Sequence, residues 1–85
     1  MKQPKTNFQL YTDVVLENSI SQQGLSKGDI GTVVEKHVVQ GKETGYSVEF
    51  FDMLGNTVAV STVPESKLRL PTHSDRPAVR LDKAA

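Results

Sequence analysis

The sequence has no cysteine and no tryptophan among its 85 residues, and its charges cancel, with 10 basic against 10 acidic side chains. Without cysteine the chain can form neither a disulfide framework nor a thiolate metal site, and a reducing cytoplasm is the expected location. Long apolar runs are also missing, so we expect neither a secretory signal nor a membrane span. A chain this short buries only about 60–65% of its unfolded surface, which allows one thin core.

The apolar residues come in short runs rich in Val, Ile, Phe and Tyr, separated by Gly, Asn, Asp or Pro, which is typical of an all-β domain. Tyr46, Val48 and Phe50 alternate with polar residues, so one face of their strand is expected to point inward. Ile20 and Leu25 interrupt a polar loop and are expected to pack against the core. We predict strands at residues 13–16, 30–39, 46–50, 57–62 and 68–70, with the second in the centre and a 3₁₀ turn after Pro64.

Five short antiparallel strands, a long first loop and a 3₁₀ turn before the last strand predict a small SH3-like, partly open β-barrel. The main alternative, a five-stranded OB-fold, usually has a helix between its third and fourth strands, and no helical pattern occurs there. We assign residues 1–7 to an N-terminal extension, 8–70 to the barrel and 71–85 to an extended C-terminal tail.

The most distinctive segment is the turn that opens the predicted central strand. Gly28 permits a positive φ, and Asp29 can accept hydrogen bonds from the backbone N–H groups that follow it. Gly31, inside a strand, is expected where another part of the chain comes too close for a Cβ. The pattern resembles the KOW motif of ribosomal and transcription proteins, but each of these residues already has a structural reason to be there.

Four segments carry a wider resemblance: residues 13–16, 24–34, 46–50 and 55–59 read Asp-Val-Val-Leu, Gly-Leu-x-x-Gly-Asp-x-Gly-Thr-Val-Val, Tyr-x-Val-Glu-Phe and Gly-x-Thr-x-Ala. In these segments the chain resembles the domain of unknown function 4926 family. The resemblance implies an SH3-like barrel that docks on another macromolecule, similar to the ferredoxin-docking subunit of the photosynthetic NDH complex and to small accessory proteins of bacterial toxin–antitoxin type. It transfers no active-site residue.

The sequence offers little for catalysis or metal binding. His37 and His73 are its histidines, and neither has a second histidine at ligand spacing. Glu35, His37 and Glu49 could meet across adjacent strands as a metal site, but we expect them to form an ordinary exposed strand surface. The serines lack a Gly-x-Ser-x-Gly elbow. We therefore predict no enzyme activity, no cofactor and no metal.

Candidate partner-binding residues lie in two places. Phe51, between Glu49 and Asp52, either faces outward as a docking spot or twists into the core at the strand end. Val79 and Leu81 lie in a tail segment that could add as a strand to a barrel edge. We predict a non-catalytic module that binds another protein or itself. The alternative is a KOW-like nucleic-acid binder that uses Lys27, Lys36, Lys42, Lys67 and Arg69, which the neutral net charge disfavours.

Overall fold

The computed structural model of the protein describes residues 7–76, which fold into strands joined by turns and two short 3₁₀ segments. The strands are β1 (Asp13–Leu16), β2 (Ile30–His37), β3 (Gly45–Phe51), β4 (Thr57–Pro64) and β5 (Leu68–Arg69), and the 3₁₀ segments are η1 (Ser21–Gln23) and η2 (Glu65–Lys67). The all-β class and the 3₁₀ turn before the last strand are confirmed.

The strands form one open antiparallel sheet in the order β4-β3-β2-β1-β5. β2 lies in the centre, as its length and composition predict, while β4 and β5 form the two edges. Gly31 of β2 faces Val14 of β1 on one side and Phe50 of β3 on the other. Because β2 pairs with β1 on one side and β3 on the other, its geometry determines where both edges of the sheet lie.

The core lies on one face of the sheet, which we call the inner face, and confirms the predicted alternation in β3. Tyr46, Val48 and Phe50 are all buried. Around them pack further buried residues from the N-terminal segment, the other four strands and the first loop: Phe8, Val14, Leu16, Leu25, Val33, Val63 and Leu68. At about 25 cal/mol per Å² of apolar surface, burial of these side chains is the main force that closes the sheet.

Tyr46 combines complete burial with polar contacts that the sequence gives no reason to expect. Its hydroxyl accepts a hydrogen bond from the Phe8 N–H at 3.2 Å and donates one to Glu65 at 3.0 Å. Its ring meets that of Phe8 edge-to-face, with centroids 5.3 Å apart. Burial raises the pKa of the Tyr46 phenol above its ordinary value. The side chain therefore fastens the N-terminal segment and η2 to the same core.

Two glycines determine the geometry of β2: one lies in the turn before the strand, and the other lies where β2 approaches β3 closely. Gly28 has φ +95°, a left-handed value that favours glycine. A Cβ on Gly31 would lie 2.5 Å from Val48 Cγ1 and 2.9 Å from the Glu49 carbonyl oxygen, so the predicted close approach is confirmed. Asp29 accepts a hydrogen bond from the N–H of Ser26, at 2.9 Å.

The first loop is ordered as predicted, with Leu25 buried and Ile20 packed against the core. Four strands have boundaries that differ from the prediction: β3 is one residue longer at each end, β5 is one residue shorter, and β2 and β4 end elsewhere. β2 ends at His37, because its partner β3 begins opposite at Gly45, and Val38 and Val39 are exposed in the hairpin loop. β4 extends to Pro64.

Candidate docking surface

The sheet carries exposed apolar residues at the end formed by the β3–β4 turn, which we call the distal patch and define as Ile30, Phe51, Met53, Leu54 and Val58. Met53 and Leu54, in the β3–β4 turn, are 75% and 86% exposed. Gly31 of β2 pairs with Phe50 of β3. Ile30 and Phe51 are the next residues beyond this pair, so they lie side by side at the same end of the sheet. A cluster of this kind on a small domain is unusual for a surface that stays in water.

Phe51 faces outward, which decides between the two orientations left open by the sequence. Phe50 is 2% exposed and Phe51 is 44% exposed. The pairing of β3 with β4 slips at this point, from Phe50 opposite Ala59 to Phe51 opposite Thr57, which leaves Val58 as the extra residue of a β-bulge. Successive side chains of an extended strand point to opposite faces of the sheet. Because Phe50 points into the core, Phe51 points away from it.

The two carboxylates predicted beside Phe51 are both engaged within the hairpin. Asp52 accepts hydrogen bonds from the N–H groups of Leu54 and Asn56, each at 2.9 Å, and closes the turn. The backbone bond from Asn56 is the main reason that the pKa of Asp52 lies below its ordinary value. Glu49 accepts a hydrogen bond from the Thr57 hydroxyl. The distal patch is therefore apolar at its centre, and these acids hold it in shape.

The outer face of the sheet is polar at its opposite end. His37 Nε2 lies 2.8 Å from Ser47 Oγ and 3.8 Å from Glu35 Oε1. A serine nucleophile would need its base to contact the serine and the acid through different ring nitrogens, whereas here Nε2 meets both. Ser47 is also buried. This arrangement is a hydrogen-bonded strand surface.

Glu49 does not join the His37 group, because it pairs with Thr32 of β2 while Glu35 pairs with Ser47. Within residues 7–76 no group of three or more His, Cys, Asp or Glu side chains could hold a metal ion. Over the same range no helix has the length and apolar character needed to cross a membrane.

Arg69 of β5 is held by acidic partners. Its guanidinium donates to both carboxylate oxygens of Asp75, at 2.9 and 2.8 Å, and its Nε lies 3.6 Å from Glu17. Asp75 also accepts a bond from the N–H of Thr72 at 2.6 Å, so the chain after β5 folds back on this strand. The Arg69 hydrogen bonds hold the pKa of Asp75 far below its ordinary value.

The other basic residues named for nucleic-acid binding do not share one element. Lys36 lies on β2 and donates to Asn7, Lys42 lies in the β2–β3 loop and Lys67 ends η2. Lys27 lies in the turn before β2, where its N–H donates to Ser19 Oγ at 2.9 Å. Val79 and Leu81, the tail candidates, lie outside the described residues.

Sequence reasoning missed two exposed features. Val58 and Val60 of β4 are 57% and 53% exposed, although their strand looks like an ordinary half-buried one. Tyr11 is 75% exposed with φ 67°, a left-handed value that costs energy for a bulky residue. Its N–H donates to the Val33 carbonyl at 2.6 Å, which ties this turn to β2. Local alternation predicts neither feature, because both depend on where the sheet ends.

A single antiparallel sheet of five strands, with no helix beyond two 3₁₀ turns in the described range, defines a small all-β protein with an exposed apolar face. A sequence model of the family described as "Domain of unknown function (DUF4926)" matches residues 10–70, and the chain belongs to that family. No curated protein and no solved structure matches the chain. The expected likeness to SH3-like barrels therefore has no solved relative behind it and stays a prediction.

Proposed function

We propose that this chain is a non-catalytic protein-binding module of the bacterial cytoplasm, an accessory or antitoxin-like protein that docks on its partner through the distal patch. The observation that carries the proposal is the outward position of Phe51 beside the exposed apolar side chains of the β3–β4 turn. An exposed aromatic residue at the centre of an apolar patch is the kind of anchor that contributes most to protein interfaces.

The charge of the surface indicates which kind of partner fits. Asp52 and Glu49 use their carboxylates for hydrogen bonds within the hairpin, so they are not free to provide the main contacts to a basic partner. The expected partner is a protein that presents an apolar side chain or groove to Phe51. Nucleic acid is a weaker candidate, because Arg69 is neutralised by Asp75 and Glu17 and the chain has no net charge.

The proposal is tested with Phe51→Asp and the matched control Val38→Asp. Both replace exposed apolar residues, but Val38 lies in the β2–β3 loop, away from the patch. Tagged wild type and both variants are used to isolate partners from source cells with and without nuclease. The captured protein is then purified and its binary affinity is measured by calorimetry.

We expect wild type and Val38→Asp to bind the same purified protein directly, and Phe51→Asp to weaken that binding by about tenfold or more. Circular dichroism checks that both variants remain folded. Equal binding by Phe51→Asp, or a complex that disappears on nuclease treatment, would contradict the proposal. The second result would instead support the nucleic-acid alternative.

A further inference from the structure

β4 is an open sheet edge with unusual composition. Between Thr57 and Pro64 it contains no charged residue, and Val58, Val60 and Thr62 are exposed. In the described residues it pairs only with β3, so its other side has no strand beside it. Proteins commonly guard such edges with charge, proline or a covering segment, because an unpaired strand readily adds another.

The hydrogen-bond pattern shows which backbone groups point to the open side. The N–H of Glu65 donates to the Thr44 carbonyl at 2.9 Å, just beyond the pair Gly45–Pro64. In an antiparallel ladder this makes Gly45–Pro64 a non-hydrogen-bonded pair, and the pairs alternate from there. Val60 and Thr62 therefore direct both N–H and C=O away from β3.

We propose that two copies of the chain pair β4 to β4 in antiparallel orientation, with Val60 opposite Thr62 of the second copy and Ser61 on the two-fold axis. In this register both edge residues exchange N–H···O=C bonds with the second copy. The absence of charge on β4 means that self-pairing brings no like charges together. The two five-stranded sheets then become one continuous sheet.

The neighbouring registers are less favourable. A shift toward the start of β4 puts Thr62 opposite Val58, which lies in the β-bulge. A shift toward the end puts Val60 opposite Pro64, which has no N–H to donate. In the register centred on Ser61, Val60 and Thr62 pair only with each other, and the irregular residues Val58 and Pro64 meet each other at the two ends of the ladder.

A shallow apolar hollow adds support at the end of the same edge. Leu16, Ile20, Val63 and Pro64 are among the residues that line it. In the proposed register Ala59 of the second copy lies opposite Val63, next to this hollow, and shields it from water. This pairing does not depend on the proposed partner, because Phe51, Met53 and Leu54 of the distal patch lie outside β4 and remain exposed in the dimer.

Self-association is measured by sedimentation equilibrium over a dilution series of the full chain. An interface made by one strand pair is small, so we expect a dimer with a dissociation constant on the order of micromolar. Val60→Lys places a charge on the edge and is expected to weaken the dimer by about tenfold or more. Met53→Lys, which changes an exposed apolar residue in the turn, is the control and should leave the dissociation constant unchanged.

Cysteine cross-linking tests the register, since the chain contains no other thiol. On the axis, Ser61→Cys brings two Cα atoms to about 4.5 Å, within disulfide range. In the Val60→Cys and Thr62→Cys variants the two cysteines of a dimer lie diagonally across the strand pair, with Cα atoms about 7–8 Å apart, which disfavours a disulfide. Met53→Cys measures random collision.

Under mild oxidation Ser61→Cys is expected to give disulfide-linked dimer faster than the other three variants, at protein concentrations above the dissociation constant. A chain that stays monomeric at all concentrations would overturn the proposal. This is the result expected if residues 77–85 of the same chain cover the β4 edge. Faster cross-linking of Val60→Cys or Thr62→Cys than of Ser61→Cys would overturn it equally. Neither result would alter the Phe51→Asp test of partner binding.

Discussion

The two edges of the sheet are built in opposite ways. β5 has 2 residues, follows a 3₁₀ turn and ends before Pro71, and its Arg69 is held by Asp75. β4 has 8 residues, no charge, and exposed valines at two positions. The first edge is closed by length, charge and a folded-back chain, whereas within residues 7–76 no strand pairs with the open side of the second.

Features that protect a sheet edge from pairing with another strand are concentrated at β5. Charge and a short strand are standard ways to prevent unwanted strand pairing and both occur at β5, whereas β4 has only the bulge at Val58 and Pro64 at its two ends. β4 has the β-branched composition that favours pairing and ends at Pro64 without a charged residue. We therefore interpret β4 and the adjoining distal patch as the side of the molecule reserved for contact.

Leu68→Ala should have the largest effect on stability among the changes that contrast the edges. Leu68 of β5 is 6% exposed and belongs to the core, so its truncation should lower the free energy of unfolding by about 2–5 kcal/mol. Val60→Ala on β4 removes a 53% exposed side chain and should cost less than about 1 kcal/mol. Urea denaturation measures both at a concentration where the protein is monomeric. Equal losses of unfolding free energy in the two variants would contradict the assignment of Leu68 to the core and of Val60 to the exposed edge.

Gly31→Ala should be next in size, since it strains the central strand that joins the two edges. The added Cβ would meet Val48 Cγ1 at 2.5 Å and a backbone oxygen of Glu49 at 2.9 Å, and we expect a loss of about 1–3 kcal/mol. Gly45→Ala is the matched control in β3, where the nearest atom is 3.6 Å away and no strain arises. A Gly31→Ala protein as stable as Gly45→Ala would contradict the close approach of β2 and β3.

Prediction from the sequence succeeded where a local pattern decides the structure. The alternation of Tyr46, Val48 and Phe50 sets the inner face of β3, and the Gly28 and Gly31 positions follow from what a Cβ would prevent. The 3₁₀ turn lies after Pro64 as predicted, although Pro64 pairs with Gly45 and the Glu65 N–H still donates to Thr44, so the missing N–H of Pro64 does not interrupt the ladder with β3.

The sequence failed where the structure depends on contacts between distant elements. Asp52 looks like a docking carboxylate, but it closes its own turn, which only the position of the Asn56 N–H reveals. The Arg69–Asp75 pair lies in a segment that composition alone assigns to the tail. The end of β2 at His37 depends on where β3 begins, and strand propensity favours continuing through Val38 and Val39.

Asp75→Asn should have the smallest effect and should open the closed edge. The carboxylate has a depressed pKa in the folded protein, so its contribution to stability is complete above its unfolded pKa of about 3.9 and is lost as pH falls further. We expect a small drop in the urea midpoint at pH 7 that shrinks progressively below about pH 4. A difference between wild type and variant that stays constant down to pH 2 would contradict the Arg69–Asp75 pairing.

Amide hydrogen exchange along β4, followed by NMR at low and high protein concentration, tests the open edge most directly. At low concentration we expect the N–H groups of Val60 and Thr62 to exchange fast, while those of Ser61 and Val63, which point to β3, exchange slowly. At high concentration Val60 and Thr62 should become protected, and Arg69 of β5 should not change. Protection of Val60 and Thr62 that is already complete in the dilute protein, or exchange that does not depend on concentration, would contradict the account.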